Sequence, residues 1–207
     1  KKQLQAESIF SIGNGIFGQR ANFEEKYSGP SLPGSYVGGI YYPDKTKVGW
    51  WKNGYPEYFA KVLNACNWIG IGFWVDNVEV DLNQLKVLDF TRTLDMKNGL
   101  LKRTNVLKFK NGNEIRFDFT RLCSMSHKNL GVVHASITPL NFTGKLRVKI
   151  QLNGKAYNSD ANYDELFWEC TSYSAEKQKG DVCTITRKTE FLHACAMEYS
   201  IEDEKGF

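Results

Sequence analysis

Residues Lys102–Arg121 read KRTNVLKFKNGNEIRFDFTR, and this stretch decides the fold. Asn111-Gly112 tolerates the positive φ values of a tight turn, and both flanks are rich in alternating residues. Beyond the turn, Ile115, Phe117 and Phe119 fall on one side, with Arg116, Asp118 and Thr120 on the other. That period of two places one face of a strand in a core and the other in water. The stretch predicts a hairpin of strands Lys102–Lys110 and Asn113–Arg121 joined by a two-residue loop.

The same pattern continues downstream. Gly131–Pro139 reads as a strand ended by Pro139, and Lys145–Leu152 as another with Leu146, Val148, Ile150 and Leu152 facing inward. Asn153-Gly154 predicts a second hairpin leading into Lys155–Asn158. Leu166–Ser174, Val182–Phe191 and Ala194–Tyr199 complete the set, with Lys177–Asp181 as a turn. Upstream, Phe73–Val80 alternates, Asp81–Asn83 breaks the pattern, and Lys86–Thr93 resumes it. Pro56–Asn64 carries Phe59, Val62 and Leu63 at helical spacing and predicts a short helix. Strands at intervals of about 8–12 residues with turn residues between them indicate a mostly β chain, a large antiparallel β-sandwich with few short helices. At 207 residues, 42% hydrophobic and 14% aromatic, residues 1–207 suffice for one domain with a substantial core.

Composition narrows the function classes. The net charge is +4 with basic residues spread along the chain, which argues against a nucleic-acid partner. Cysteines 66, 123, 170, 183 and 195 form no Cys-x-x-Cys pair, so no metal site is expected and buried reduced thiols are the reading. No apolar run approaches the roughly 18–20 residues of a membrane span, and no signal-peptide core stands at the N-terminus. A cytoplasmic protein is expected, with no membrane association. The chain starts without Met and reads as cut from something longer.

Gly13, Gly15 and Gly18 match a dinucleotide-binding spacing, but that motif must lead from a strand into a helix. Here Gly29, Pro30, Pro33 and Gly34 soon break the chain. Asn14-Gly15 fits a hairpin turn between Ile9–Ile12 and Ile16–Arg20, so no nucleotide cofactor is expected.

That segment also carries a resemblance. Glu7–Arg20 (ESIFSIGNGIFGQR), Asn22–Glu25 and Gly34–Tyr42 (GSYVGGIYY) resemble the opening of glycoside hydrolase family 65. Val48–Ile69 (VGWWKNGYPEYFAKVLNACNWI) is similar to the maltose phosphorylase branch of that family. Asp89–Arg103 (DFTRTLDMKNGLLKR) and Arg121–Ser126 extend the likeness, which weakens beyond about Asp160. The resemblance implies the family's N-terminal super-sandwich of galactose mutarotase-like shape, here trimmed of some final strands. It implies that the (α/α)6 catalytic barrel and its catalytic Glu lie outside this chain, so no catalytic residue is assigned. The implied parent reaction converts maltose and phosphate, with inversion, into glucose 1-phosphate and glucose. Inorganic phosphate is then a substrate and no cofactor is needed. The partners implied are the chain's own barrel, a disaccharide and a homo-oligomer.

Among individual residues, Trp50, Trp51 and Tyr55 lie in a glycine-bearing, loop-like stretch suited to sugar stacking or to a domain or subunit contact. Adjacent residues of an extended segment point to opposite sides, so Trp50 and Trp51 do not serve one sugar together. Arg92, Asp95 and Arg103 form a structural charge group in which Asp95 pairs with either arginine and braces the turn at Asn98-Gly99. Arg20, Glu24 and Glu25 read as a solvated or interface group. His127 and His134 bear on an epimerase reading, which needs an acid and base pair. Three function classes follow: an accessory sandwich of a phosphorylase, a stand-alone carbohydrate-binding module, and an aldose-epimerase-like sandwich.

Overall fold

The computed structural model describes residues 2–46, 54–159 and 165–203. In chain order the elements begin with α1 (Lys2–Ile9), β1 (Ile12–Gly13), β2 (Phe17–Gln19), β3 (Ser35–Val37), β4 (Tyr41–Lys45) and β5 (Tyr58–Val62). They continue with β6 (Ile71–Val75), β7 (Val78–Glu79), β8 (Lys86–Asp95), β9 (Leu100–Lys108) and β10 (Glu114–Cys123). β11 (Gly131–Pro139), β12 (Leu146–Ile150), β13 (Trp168–Glu176), β14 (Lys179–Thr186) and β15 (Leu192–Glu198) close the order. The chain is mostly β, and its strand pairs are antiparallel, as the alternation requires. It divides into two compact units, Lys1–Gly38 with Ile69–Gln151, and Gly39–Trp68 with Leu152–Phe207.

In the first unit, sheet β11-β10-β9-β8 packs on sheet β12-β6-β7. Phe73, Val75, Val80 and Leu82 meet Leu107, Phe109, Ile115, Phe117 and Phe119 in one buried cluster. The Phe117 ring stacks on Phe119 at 6.0 Å between centroids and tilts against Phe73 at 5.0 Å. Fully burying each such side chain contributes about 1.5–3 kcal/mol before entropy is subtracted. The alternation that sets Ile115, Phe117 and Phe119 on one side of β10 therefore supplies a third of this core.

The β9–β10 hairpin forms with one change. Phe109 N donates to Asn113 O at 2.9 Å and Gly112 N to Phe109 O at 3.0 Å, so the loop holds Lys110, Asn111 and Gly112. Gly112 sits at φ 93°, the left-handed position that a three-residue loop places last. A second difference lies at Phe73–Val80, which folds into the β6–β7 hairpin instead of one strand. Asp76 and Asn77 take φ 46° and 69°, the paired positive values of a type I′ turn. The Asp76 carboxylate accepts from Lys145 N at 2.8 Å and fixes that turn to the start of β12. Within β12, Val148 and Ile150 face the core side, whereas Leu146 at the strand's start is exposed.

The glycines at 13, 15 and 18 lie in the β1–β2 hairpin, not in a strand-to-helix turn. Asn14 Oδ1 accepts from Ile16 N and Phe17 N, both at 3.1 Å, and Gly15 at φ 86° completes the turn. Asn14 Nδ2 donates to Ser124 O and Lys128 O at 2.7 and 2.8 Å, tying this hairpin to the β10–β11 loop. Residues Lys2–Ile9 are helical, so the strand expected over Ile9–Ile12 is confined to its last residue.

In the second unit, β4 pairs with β5, and β13, β14 and β15 form a meander. Pro56–Asn64 is not a helix. Tyr58–Val62 is extended against Tyr41–Lys45, where Lys61 turns inward and its Nζ lies 3.6 Å from the Asp44 carboxylate. The helical spacing of Phe59, Val62 and Leu63 gives way to this pairing. Tyr42 packs on Phe167 with ring centroids 4.5 Å apart, and Trp168 Nε1 donates to Asn64 O at 2.8 Å. The expected hairpin at Asn153-Gly154 is absent. Asn153 instead exchanges backbone hydrogen bonds with Asn67, both 3.0 Å, as an isolated bridge. The β13–β14 turn is Lys177-Gln178, shorter than expected, with Lys177 at φ 49°.

Candidate functional site

Strand parity builds the most charged feature of the first unit. Arg103 shares the inward side of β9 with Asn105 and Leu107, and Arg121 shares that of β10 with Phe117 and Phe119. Two guanidinium groups on an apolar face require buried acceptors, since an unpaired charge there is prohibitive. The segment after β2 supplies them as Glu24 and Glu25.

Arg121 Nε and Nη2 donate to Glu24 Oε1 at 3.1 and 2.5 Å, while Nη1 and Nη2 reach Arg20 O and Asn22 O at 3.1 and 2.9 Å. Arg103 Nη2 donates to Glu24 Oε2 at 2.7 Å and to Glu25 Oε2. Its Nη1 donates to Glu25 Oε1 at 2.7 Å and Asn105 Oδ1 at 2.9 Å. The guanidinium of Arg103 also lies over Phe119 at 4.3 Å and Phe23 at 4.9 Å. Glu24 and Glu25 are thus buried, correcting the solvated or interface position expected for them.

The electrostatics follow from who holds each carboxyl. Burial works against ionising Glu24, but the charges and hydrogen bonds of Arg121 and Arg103 outweigh it and hold the carboxyl at about 2. Burial pushes the Glu25 carboxyl above its ordinary range, because it has only a share of Arg103 and stands beside the Glu24 charge. Burial also opposes the charge on Arg103, yet Glu25 and Glu24 hold it firmly protonated. Glycoside chemistry of the inverting kind needs a raised acid and a second group flanking a sugar. Both carboxylates here are sunk on arginine, so the cluster acts as a clamp joining the Asn22–Glu25 segment to the sheet.

The residues singled out from sequence fall in different places. Trp50 and Trp51 lie outside the described residues, and Tyr55 is 54% exposed. Asp95 does not join the arginines. It accepts from Lys97 N and Asn98 N, both at 3.1 Å, and from Asn98 Nδ2 at 2.7 Å, bracing the β8–β9 turn from the surface. Arg92 lies near Arg103 but outside its ion pairs, with its guanidinium 4.9, 5.4 and 5.8 Å from the rings of Phe23, Phe90 and Phe10. Burial, then the nearby Arg103 charge, lowers Arg92 to about 10. His127 bonds Ser126 Oγ at 3.2 Å, and His134 is exposed on β11. Among the described residues neither histidine meets a carboxylate, and no group of three His, Cys, Asp or Glu side chains is placed to hold a metal ion.

The second unit carries three smaller arrangements. Glu165 Oε1 accepts from Tyr42 Oη at 3.0 Å and from Lys188 Nζ at 2.5 Å. His193 tilts against Trp168 at 5.8 Å, and burial lowers its basicity. The Cys66 thiol hydrogen-bonds Cys195, which pushes Cys66 up, as does its burial, and draws Cys195 down. The cysteines are free, but only Cys66 and Cys123 are buried, and Cys170 is exposed.

Sequence reading missed Glu24, Glu25, Arg121 and Asn105 as one group. The signal was present in the parity of Arg103 and Arg121, each two residues from a core position.

Comparison with known proteins gives this arrangement a family. The profile described as Glycosyl hydrolase family 65, N-terminal domain, matches residues 1–206. Maltose phosphorylase of Bacillus subtilis (strain 168) is 40% identical over 185 residues, covering 89% of this chain and 24% of that protein. Alpha,alpha-trehalose phosphorylase of Thermoanaerobacter brockii is 32% identical over 207 residues, covering 93% of this chain and 26% of that protein. Among solved structures, a putative kojibiose phosphorylase from human microbiome superposes with a TM-score of 0.86 at 25% identity, covering 98% of this chain and 26% of that one. The chain therefore spans about a quarter of the length of these relatives. No helix among the described residues is long and apolar enough to cross a membrane. On the profile match and the identity to maltose phosphorylase together, the chain belongs to glycoside hydrolase family 65 and corresponds to its N-terminal domain.

Proposed function

We propose that this chain is the non-catalytic N-terminal domain of an inverting disaccharide phosphorylase, with maltose as the disaccharide. The observation that carries the reading is 40% identity to a maltose phosphorylase across 89% of the chain, set beside carboxylates of the first unit that are held by arginine. In the parent reaction a phosphate oxygen bonds to the anomeric carbon as the glycosidic C–O bond breaks. A carboxylic acid elsewhere in the protein protonates the departing glucose oxygen. Phosphate arrives as an anion, so the second carboxylate that a hydrolase uses to activate water is dispensable. Phosphate is substrate, and no resident cofactor takes part.

The domain's part in this is mechanical: it packs against a helical (α/α)6 barrel in the same protein and supports a homo-oligomer. The thiols of Cys66, Cys123, Cys183 and Cys195, at least partly buried and unpaired, suit a reducing cytoplasm. The outward side of β4 and β5 supports a second reading, since Tyr41 and Val62 stand opposite each other there and Tyr58 lies farther along the same side, all with much of their surface in water. Such a patch suits a barrel contact or a sugar platform.

The test compares the 207-residue chain with the protein at its natural length, each given maltose and phosphate. Glucose 1-phosphate from the long protein alone supports the proposal. Its release by the short chain overturns it. Saturable heat on titrating the short chain with maltose favours the sugar-platform reading instead.

A further inference from the structure

Strand β8 is an edge of the four-stranded sheet, next to β9 on one side only among the described residues. Its inward side is set by register. Val87 stands opposite Leu107, Phe90 opposite Asn105 and Arg92 opposite Arg103, and all three partners are buried. Val87 and Phe90 themselves remain 40% exposed, although the row beside them is closed. A side chain that continues a core row yet meets water marks a surface shaped for a cover.

Arg92 says what chemistry the cover carries. Its Nη2 is buried and has no hydrogen-bond partner among the described residues. Three rings surround the guanidinium, and the acids nearby are engaged. Glu24 and Glu25 are held by Arg103 and Arg121. Glu7 accepts from Ser31 Oγ at 2.5 Å, Leu32 N at 2.7 Å and Gln3 Nε2 at 3.0 Å. Arg92 thus keeps a partly buried charge with no acid paired to it among the described residues, and a carboxylate is the best-matched partner for a guanidinium.

We infer that β8 is a docking strand, covered by an extended segment from the three-quarters of the protein that the relatives carry beyond the matched region. That segment lays apolar side chains over Val87 and Phe90 and sets an Asp or Glu beside the part of the Arg92 side chain that still meets water. Strand addition to a sheet edge supplies backbone hydrogen bonds and leaves side-chain pockets to set specificity. The inference rests on the reading of this chain as one domain of a longer phosphorylase.

The experiment uses the protein at its natural length, with the photoreactive benzoylphenylalanine in place of Phe90. After irradiation, digestion and mass spectrometry, the expected adduct is a peptide from beyond residue 207 containing an acidic residue. It should form within one chain when labelled and unlabelled protein are mixed. Arg92→Glu should cut its yield about tenfold or more, and changing the captured acid to Arg should restore it. An adduct confined to residues 1–207, an adduct between two copies, or no adduct overturns the inference. Phosphorolysis is assayed on the same sample. Its absence counts against the proposed function alone, whereas normal activity without the adduct counts against the docking strand alone.

Discussion

Arg121 and Glu24 stand 97 positions apart in sequence, yet Nε and Nη2 of the arginine converge on one carboxylate oxygen at 3.1 and 2.5 Å. Breaking a buried pair by removing one partner strands the other charge and costs about 3–5 kcal/mol. Arg121→Met and Glu24→Gln are each expected to lose that much in urea unfolding. The double variant should lose less than the sum, because neither charge is left alone. Additive losses would count against a direct pairing.

Acid unfolding should carry the mark of Glu24. Its carboxyl has an ordinary value of 4.5 and is held at about 2 in the folded chain. As pH falls the unfolded chain takes up this proton first, so stability present above 4.5 drains away between 4.5 and 2. Glu25 has the opposite sign: its carboxyl is raised by burial, so its contribution to stability is lost as pH climbs above the ordinary value. Urea midpoints measured from pH 7 to pH 2 should show a flatter acid limb in Glu24→Gln than in the parent, although the variant is weaker at pH 7. Superimposable slopes would rule Glu24 out as the group responsible.

The β6–β7 turn offers a local test. Asn77 at φ 69° favours glycine and penalises β-branching. Asn77→Gly should leave stability unchanged or raise it by up to about 1 kcal/mol, while Asn77→Val should cost about 1–2 kcal/mol. The thermal midpoint of Asn77→Val should therefore fall below the parent's, while that of Asn77→Gly should not. Asp76 is a poor site for the same exchange, because its carboxylate holds Lys145 N.

In the core, Phe117 is wholly buried between Phe73 and Phe119. Phe117→Ala should cost about 3–5 kcal/mol, whereas Phe90→Ala on the open row of β8 should cost far less in the isolated chain. Equal losses would mean that β8 is already covered within these residues.

Thiol labelling should follow burial and partners. At neutral pH iodoacetamide should modify exposed Cys170 first. Cys123, whose thiol burial raises to about 11, and Cys66 should resist until the chain unfolds. Timed mass spectrometry of the modified peptides gives the order, and early loss of Cys123 would contradict its burial.

Much of the strand pattern was legible because alternation is a local consequence of the pleat. Phe117 and Phe119 point inward wherever the strand is placed, and Gly112 turns the chain whatever surrounds it. Tyr58–Val62 was not legible in this way, since Lys61, opposite Tyr42, turns inward only after β4 brings Asp44 within 3.6 Å of its Nζ. Asp76-Asn77 lacks the glycine that usually announces a type I′ turn, so its hairpin was read as one strand. The buried cluster was half visible. Arg103 and Arg121 had inward parity, but their acids come from a segment with no periodicity, and no spacing rule joins position 24 to position 121. Asp95 next to two arginines in sequence suggested pairing, while the turn's own N–H groups claim it first.

The separation of Glu24 from Arg121 also has a meaning in time. During synthesis at 5–20 residues per second, Glu24 leaves the ribosome roughly 5–20 s before Arg121 does. Through that interval the N-terminal segment carries two solvated acids with no sheet to enter. Its helix and its β1–β2 hairpin can form early, but they can be locked to the domain only when β9 and β10 arrive. The nascent chain therefore closes backwards, with an earlier-made part fixed in place by residues translated much later.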